Sequence, residues 1–222
     1  MQRTTTMNPS RTGEWLLFAA LVACYPLSAM LPAGWAREGG ILESAQVLVL
    51  LAGAALGFAA FLRLRPDRLG LLALWAAPVW LLLAGRELSW GRVLLPADEG
   101  HLPNGVAMNG VLWLQAGVKP GAVVLALGLL YGAWRYRIHT IVRAAFARRM
   151  PWLCLAIGLA AAIGSTCAED HMSCSFGFAA ARSNLIEELV ELVAYIALFM
   201  IQDSVLREVP APAVLGVGSQ AG

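Results

Sequence analysis

Residues 41–62 read ILESAQVLVLLAGAALGFAAFL, twenty-two positions in which Glu43 is the one charged side chain. At a rise of about 1.5 Å per residue, a run of that length crosses a hydrocarbon core of about 30 Å as one helix. A strand of a membrane barrel would need about ten residues of alternating polarity, and this Leu/Ala-rich run does not alternate. The stretch reads as a transmembrane α-helix, and that reading governs the chain on either side of it.

Five other apolar runs, read with their flanks, repeat the pattern, so the expected spans lie at about 15–35, 41–62, 69–85, 118–134, 151–167 and 185–201. Composition agrees: of 222 residues, 59% are hydrophobic and 14% charged, against about 25% charged in soluble proteins. The fold class expected is all-α, a polytopic membrane helix bundle of about six transmembrane helices. It occupies residues 1–208 as a single transmembrane domain, and 209–222, with Pro210, Pro212, Gly216 and Gly218, has the composition of a disordered tail. So apolar a chain excludes an intrinsically disordered protein, a secreted disulfide scaffold and a nucleic-acid binder. The partners it implies are membrane lipids and other membrane subunits.

The first run competes with a signal peptide, since Arg3 and Arg11 precede it and Gly34-Trp35-Ala36 ends it in a small-x-small pattern. Its apolar stretch is longer than a usual signal core, and Trp15 and Trp35 bracket it as interfacial anchors do. Residues 92–117 are the least regular, with Pro96, Asp98, Glu99, His101, Pro103 and Asn109, and read as a loop. Its second half, with Val106, Val111, Leu112, Trp113 and Leu114, is apolar enough to lie on the bilayer or dip into it.

Basic residues choose the orientation. Eleven of the sixteen fall on one side, in the segments around Arg3 and Arg11, Arg63 to Arg68, Arg135 to Arg149, and Arg207; Arg37, Arg86, Arg92, Lys119 and Arg182 fall on the other. The positive-inside rule then makes both termini cytoplasmic and places the loops holding Arg37, Arg86 to Lys119, and Cys167 to Arg182 outside, which in a bacterial inner membrane is the periplasm.

With that topology the acidic residues near spans gather at the outer side: Glu43 in the second span, Glu87 closing the third, and Glu187, Glu188 and Glu191 in the last. Charged groups at membrane depth cost about 2.5–3.5 kcal/mol each on insertion scales, so they are paired, water-facing or functional. Glu187 and Glu191 are four apart, Glu188 and Glu191 three apart, and Tyr195 continues that face; Glu43 and Gln46 are three apart as well. For Glu187 and Glu188 the plain alternative is a place in the first turn of a helix begun by Ser183 or Asn184, where carboxylates complement the N-terminal dipole. For Glu43, Glu87 and Glu191 the alternatives are a polar site and a structural ion-pair network. As a site, Glu87, Glu191 and Glu43 are the candidate catalytic residues, and Arg86, Arg92, Arg182 and Trp90 the candidate substrate-binding ones.

The segments Arg37-Glu38-Gly39-Gly40-Ile41-Leu42-Glu43, Arg86-Glu87-Leu88-Ser89-Trp90-Gly91-Arg92 and Glu187-Glu188-Leu189-Val190-Glu191 together resemble a family of uncharacterised bacterial inner-membrane proteins. In that family an acidic residue precedes Ser-Trp-Gly and a Gln or Arg follows. Many of those proteins carry two adjacent acids before Ser-Trp-Gly, where this chain has Arg86 and then Glu87. The resemblance covers the second, third and last spans; it implies a shared site and brings no known activity. A resemblance to alkaline ceramidases and adiponectin-receptor-like hydrolases is set aside, because their zinc is held by helix histidines and here His101, His139 and His171 all lie outside the spans. The identity of any cofactor or metal stays open, although carboxylates favour hard cations or protons.

Cys24 and Cys154 sit within spans as small packing residues. Cys167 and Cys174 bracket Ala168 to Ser173 in an outer loop, where a disulfide, a metal site completed by His171 with Glu169 or Asp170, and free thiols are the alternatives. Their spacing matches no redox Cys-x-x-Cys motif.

Three functions fit these residues: an enzyme acting at the outer leaflet on a lipid or lipid-linked substrate, a non-catalytic assembly or partner subunit held by intramembrane ion pairs, and a small proton- or cation-coupled permease. Against the permease, no charged residue lies in the cytoplasmic half of a span to complete a path, and no internal repeat is evident. Reporter fusions test the orientation. Fusions at positions 66, 142 and 212 are expected to read cytoplasmic, and a periplasmic signal at 142 overturns the assignment.

Overall fold

Leu- and Ala-rich runs with few β-branched residues favour the helix, and in lipid the helix is the one open-ended element that satisfies its own backbone. In the computed structural model, which describes residues 9–37, 39–65, 67–88, 109–149, 151–168 and 180–207, the chain is accordingly all-α. The helices are α1 (Pro9–Met30), α2 (Ile41–Arg63), α3 (Arg68–Glu87), α4 (Asn109–Arg135), α5 (Ile138–Arg149), α6 (Trp152–Ala168) and α7 (Ala180–Arg207). Four of them, α1, α2, α3 and α7, contain stretches long and apolar enough to cross a membrane, and α6 and the Pro120–Arg135 part of α4 are shorter apolar helices. Leu16, Val22, Leu48, Phe58, Leu81, Val124, Leu127 and Ile163 face outward from the bundle, as expected of a surface whose solvent is hydrocarbon.

Helix boundaries depart from the sequence reading in four places. Helix α1 starts at Pro9, a residue suited to the first helical position, and stops at Met30, because Leu31 precedes Pro32 and is biased out of the helical region. Trp35, expected inside the first span, lies in a short 3-10 turn at Ala33–Ala36. The second half of the expected 92–117 loop is helical from Asn109 and runs without a break through Pro120 into the fourth span. The basic stretch after that span is a helix of its own, α5, entered through Arg137 at φ 50° and burying Ile138 and Ile141. Helix α7 starts at Ala180, well before the expected 185. The expected tail at 209–222 lies outside the described residues.

The tightest packing joins α2 to α3 and α6 to α7, and α7 also packs on α1 and α2, whereas α4 contacts α3 and α5. Small residues set these approaches. A Cβ on Gly53 would come within 2.5 Å of the Trp80 ring, and one on Gly57 within 3.0 Å of the Ala73 carbonyl, so this Gly-x-x-x-Gly pair lets α3 lie directly against the α2 backbone. Between α6 and α7, Gly158 faces Ala197 and Gly164 faces Val190. Trp75 ties α4 on by donating its indole N–H to the Leu129 carbonyl at 3.0 Å.

Gly53→Val should therefore force α2 from α3 and destabilise the bundle by about 1–3 kcal/mol, the usual cost of overpacking. Gly128→Ala, on α4 where an added Cβ meets nothing within 4 Å, is the control. Thermal melts of the two purified variants in detergent check this. Equal melting temperatures would contradict the close approach.

Candidate functional site

Helix α7 presents a polar stripe to α2 and α3. Glu188, Glu191, Tyr195 and Gln202 follow one another at intervals of three, four and seven residues, which keeps them on one side of a helix with 3.6 residues per turn. Since α7 starts at Ala180 and has no acid in its first turn, Glu188 sits more than two turns inside the helix. The N-terminal-dipole reading of Glu187 and Glu188 is thereby overturned.

Near the end where α2 begins and α3 finishes, the stripe meets Glu43, Gln46, Arg86 and Glu87. The Tyr195 hydroxyl donates to Glu87 Oε1 at 2.7 Å and lies 3.1 Å from Glu191 Oε1. Its single proton serves one of those carboxylates at a time. Arg86 Nη2 is 3.0 Å from Glu191 Oε1, and its Nε is 3.9 Å from Glu87 Oε1. The carboxylates of this group are nearly buried, at 8% exposure for the Glu87 side chain and 12% for that of Glu191, while the Arg86 side chain is 55% exposed. Gln46 crosses from α2 to α7, its Nε2 donating to the Glu188 carbonyl at 2.9 Å and to Glu188 Oε2 at 2.8 Å.

Glu43 has a local duty as well. At the third position of α2 it reaches back to accept the Gly39 backbone N–H on Oε2 at 2.5 Å, one residue before the N-cap Gly40, at a helix start that has no side-chain cap. Gly39 holds a left-handed φ of 71°, so a glycine there costs the turn nothing. The other oxygen, Glu43 Oε1, is buried and has no hydrogen-bond partner, and the same holds for Gln46 Oε1. Gln46 is wholly buried and Glu43 is 7% exposed.

Of the candidate catalytic and substrate-binding residues, the structure thus brings together Glu43, Arg86, Glu87 and Glu191, and with them Gln46, Glu188 and Tyr195, which helical spacing places on the same faces. Arg182 goes elsewhere. Nine residues before Glu191 on α7 it faces α1, with its Nε 3.4 Å from Ser28 Oγ and its guanidinium 5.2 Å from the centre of the Tyr25 ring. Trp90, Arg92 and Cys174 lie outside the described residues. Cys167 is disulfide-bonded, and Cys24 and Cys154 are free and buried. Among the described residues no three His, Cys, Asp or Glu side chains converge as a metal ion would require.

A second polar junction lies two turns further along the stripe. Gln202 accepts a hydrogen bond from the Trp80 indole N–H on Oε1 and donates through Nε2 to the Gly53 carbonyl at 2.9 Å, so one amide joins α2, α3 and α7. This junction escaped the sequence reading because the last span was ended at 201. The legible signal was the heptad spacing of Tyr195 and Gln202 together with Gly53 and Gly57. Compared with protein-family models, curated proteins and solved structures, the chain finds no match in any of the three.

The cysteine state has a direct check. A membrane-impermeant thiol reagent applied to intact spheroplasts is expected to label Cys167 only after reduction. Equal labelling with and without reductant contradicts the oxidised state.

Proposed function

We propose that this chain is a multi-pass protein of a bacterial inner membrane, with both termini cytoplasmic, whose cluster at the periplasmic side acts on a lipid or lipid-linked substrate. One observation carries the reading: the cluster does not balance itself. Among the described residues Arg86, half exposed, faces Glu87 and Glu191, while Glu43 and Glu188 stand beside them with no cation of their own, and two buried acceptor oxygens, Glu43 Oε1 and Gln46 Oε1, receive no donor. A network whose task is to hold helices together closes its hydrogen bonds, since each buried acceptor left open costs about 1–3 kcal/mol. An excess of buried acceptors and negative charge suits a place that receives something.

Within this reading Glu87 and Glu191 are the acid/base pair, sharing the Tyr195 hydroxyl between α3 and α7, a position from which one carboxyl gives a proton and the other takes one. Arg86 binds an anionic group at the rim. The resemblance of the Glu87 to Arg92 segment to bacterial inner-membrane proteins supports the location.

The second reading, an assembly subunit held by intramembrane ion pairs, is favoured by the same ties seen as structure: Tyr195 to Glu87, Gln46 to Glu188 and Arg86 to Glu191 join α2, α3 and α7 directly. Glu87→Gln and Glu191→Gln separate the two, because each keeps shape and removes charge. A site predicts loss of the deletion-complementing phenotype at normal membrane abundance. A structural tie predicts lowered abundance instead, by somewhat less than the about 3–5 kcal/mol of a fully buried pair because Arg86 retains solvent. An intact phenotype at normal abundance in both variants would remove both readings.

A further inference from the structure

The two unpartnered oxygens limit what the cluster can receive. Glu43 and Gln46 stand one turn apart on the same face of α2, both at least nine-tenths buried, and Gln46 reaches into the carboxylate group through its bond to Glu188. Each offers an acceptor, Oε1, that no group among the described residues satisfies. What satisfies such an oxygen is a donor, one group that serves both must have more than one N–H or O–H to give, and the neighbouring Glu87, Glu188 and Glu191 favour a positive charge on it. A hard metal ion is the poorer fit, because no three acidic side chains converge on a point among the described residues. A primary ammonium meets each requirement: three N–H donors that rotate about the C–N bond, one positive charge and a compact volume.

We propose that this cluster binds the primary ammonium of a phosphoethanolamine-type group, with Glu43 Oε1 and Gln46 Oε1 as its hydrogen-bond acceptors and Arg86 as the partner of the phosphate. The proposal rests on the reading of the cluster as a substrate site and names the substrate's chemical class. Arg86 supplies the second half of the fit: its guanidinium has five N–H groups, of which Nη2 faces Glu191 at 3.0 Å and Nε faces Glu87 at 3.9 Å, and it is half exposed at the rim of the same cluster. A buried acceptor set beside a more exposed cation matches a zwitterion that enters ammonium first. Quaternary ammonium groups carry no N–H, so they would bring charge to the site and leave both oxygens unsatisfied.

The test uses the purified full-length chain in mixed micelles holding equal amounts of phosphatidylethanolamine and phosphatidylcholine with the same acyl chains, the lipids retained after repurification being measured by mass spectrometry. The expected result is retention of phosphatidylethanolamine over phosphatidylcholine by about tenfold, as charge-assisted hydrogen bonds would give. Stepwise N-methylation of the headgroup should lower retention with each N–H removed, and this measurement needs only the wild-type protein. Glu43→Gln should reduce the preference to about twofold or less, since its amide donates to Gln46 and no longer attracts a cation.

Equal retention of the two lipids overturns the proposal; it is also what a proton held between Glu43 and Gln46 would produce. Unchanged retention across the methylation series, or a full preference in a folded Glu43→Gln variant, overturns it too. Free ethanolamine decides the source: displacement of the lipid places recognition in the ammonium alone, failure to displace it places recognition in the headgroup together with its phosphate, and both uphold the ammonium. Lipid preference absent while Glu87→Gln still abolishes the phenotype would sink the headgroup assignment and leave the site reading standing.

Discussion

In hydrocarbon a polar group has no water to fall back on, and that constraint organises the structure around α7. Its stripe of Glu188, Glu191, Tyr195 and Gln202 needs partners within reach, and α2 and α3 supply them: Gln46 and the Gly53 carbonyl from one, Glu87, Arg86 and Trp80 from the other. Because these partners sit at two levels, two turns apart, they fix the rotation of α7 as well as its position. The glycines of α2 make this possible, since α3 has to lie against bare backbone for Gln202 to span Gly53 and Trp80 at once. Apolar packing then fills the space, with Leu50, Ala54 and Ala84 around Trp80 and Tyr195.

The two polar levels differ in kind. The Gln202 junction spends donor on acceptor and acceptor on donor and leaves nothing over. The carboxylate level leaves two acceptors open among the described residues. That contrast within one helix triad is the reason for treating the first as architecture and the second as a place of encounter. Arg182 shows the same economy of position: on α7 but turned toward α1, it meets Tyr25 and Ser28.

Much of the fold was legible because the hydrophobic period and length of a membrane helix are written directly in composition. Helix ends were less so. An apolar run marks where lipid is, whereas α1 begins at Pro9 and α7 at Ala180 because polar residues such as Arg11, Arg182 and Ser183 continue a helix beyond the hydrocarbon. The α5 helix was hidden for the same reason, its arginines signalling side of the membrane while its alanines carried helical propensity. Within the site, Glu43, Glu87 and Glu191 stood out by charge. Gln46 and Glu188 needed the packing of α7 on α2, and Tyr195 its packing on α3, to acquire their partners, and the unpaired oxygens exist only as a property of that packing.

The order in which the chain is made gives the triad a further consequence. Glu87 is separated from Tyr195 by 108 residues. At about 5–20 residues per second, the α2–α3 hairpin waits on the order of 5 to 20 s before its acceptor for that hydroxyl is met. Over that interval Gln46, Glu87 and the Trp80 indole are without their α7 partners, and the contact of α2 with α3 rests mainly on the glycines. The last helix thus acts as a keystone, and a truncated chain lacking it would present an incompletely satisfied hairpin to whatever machinery inspects nascent membrane proteins.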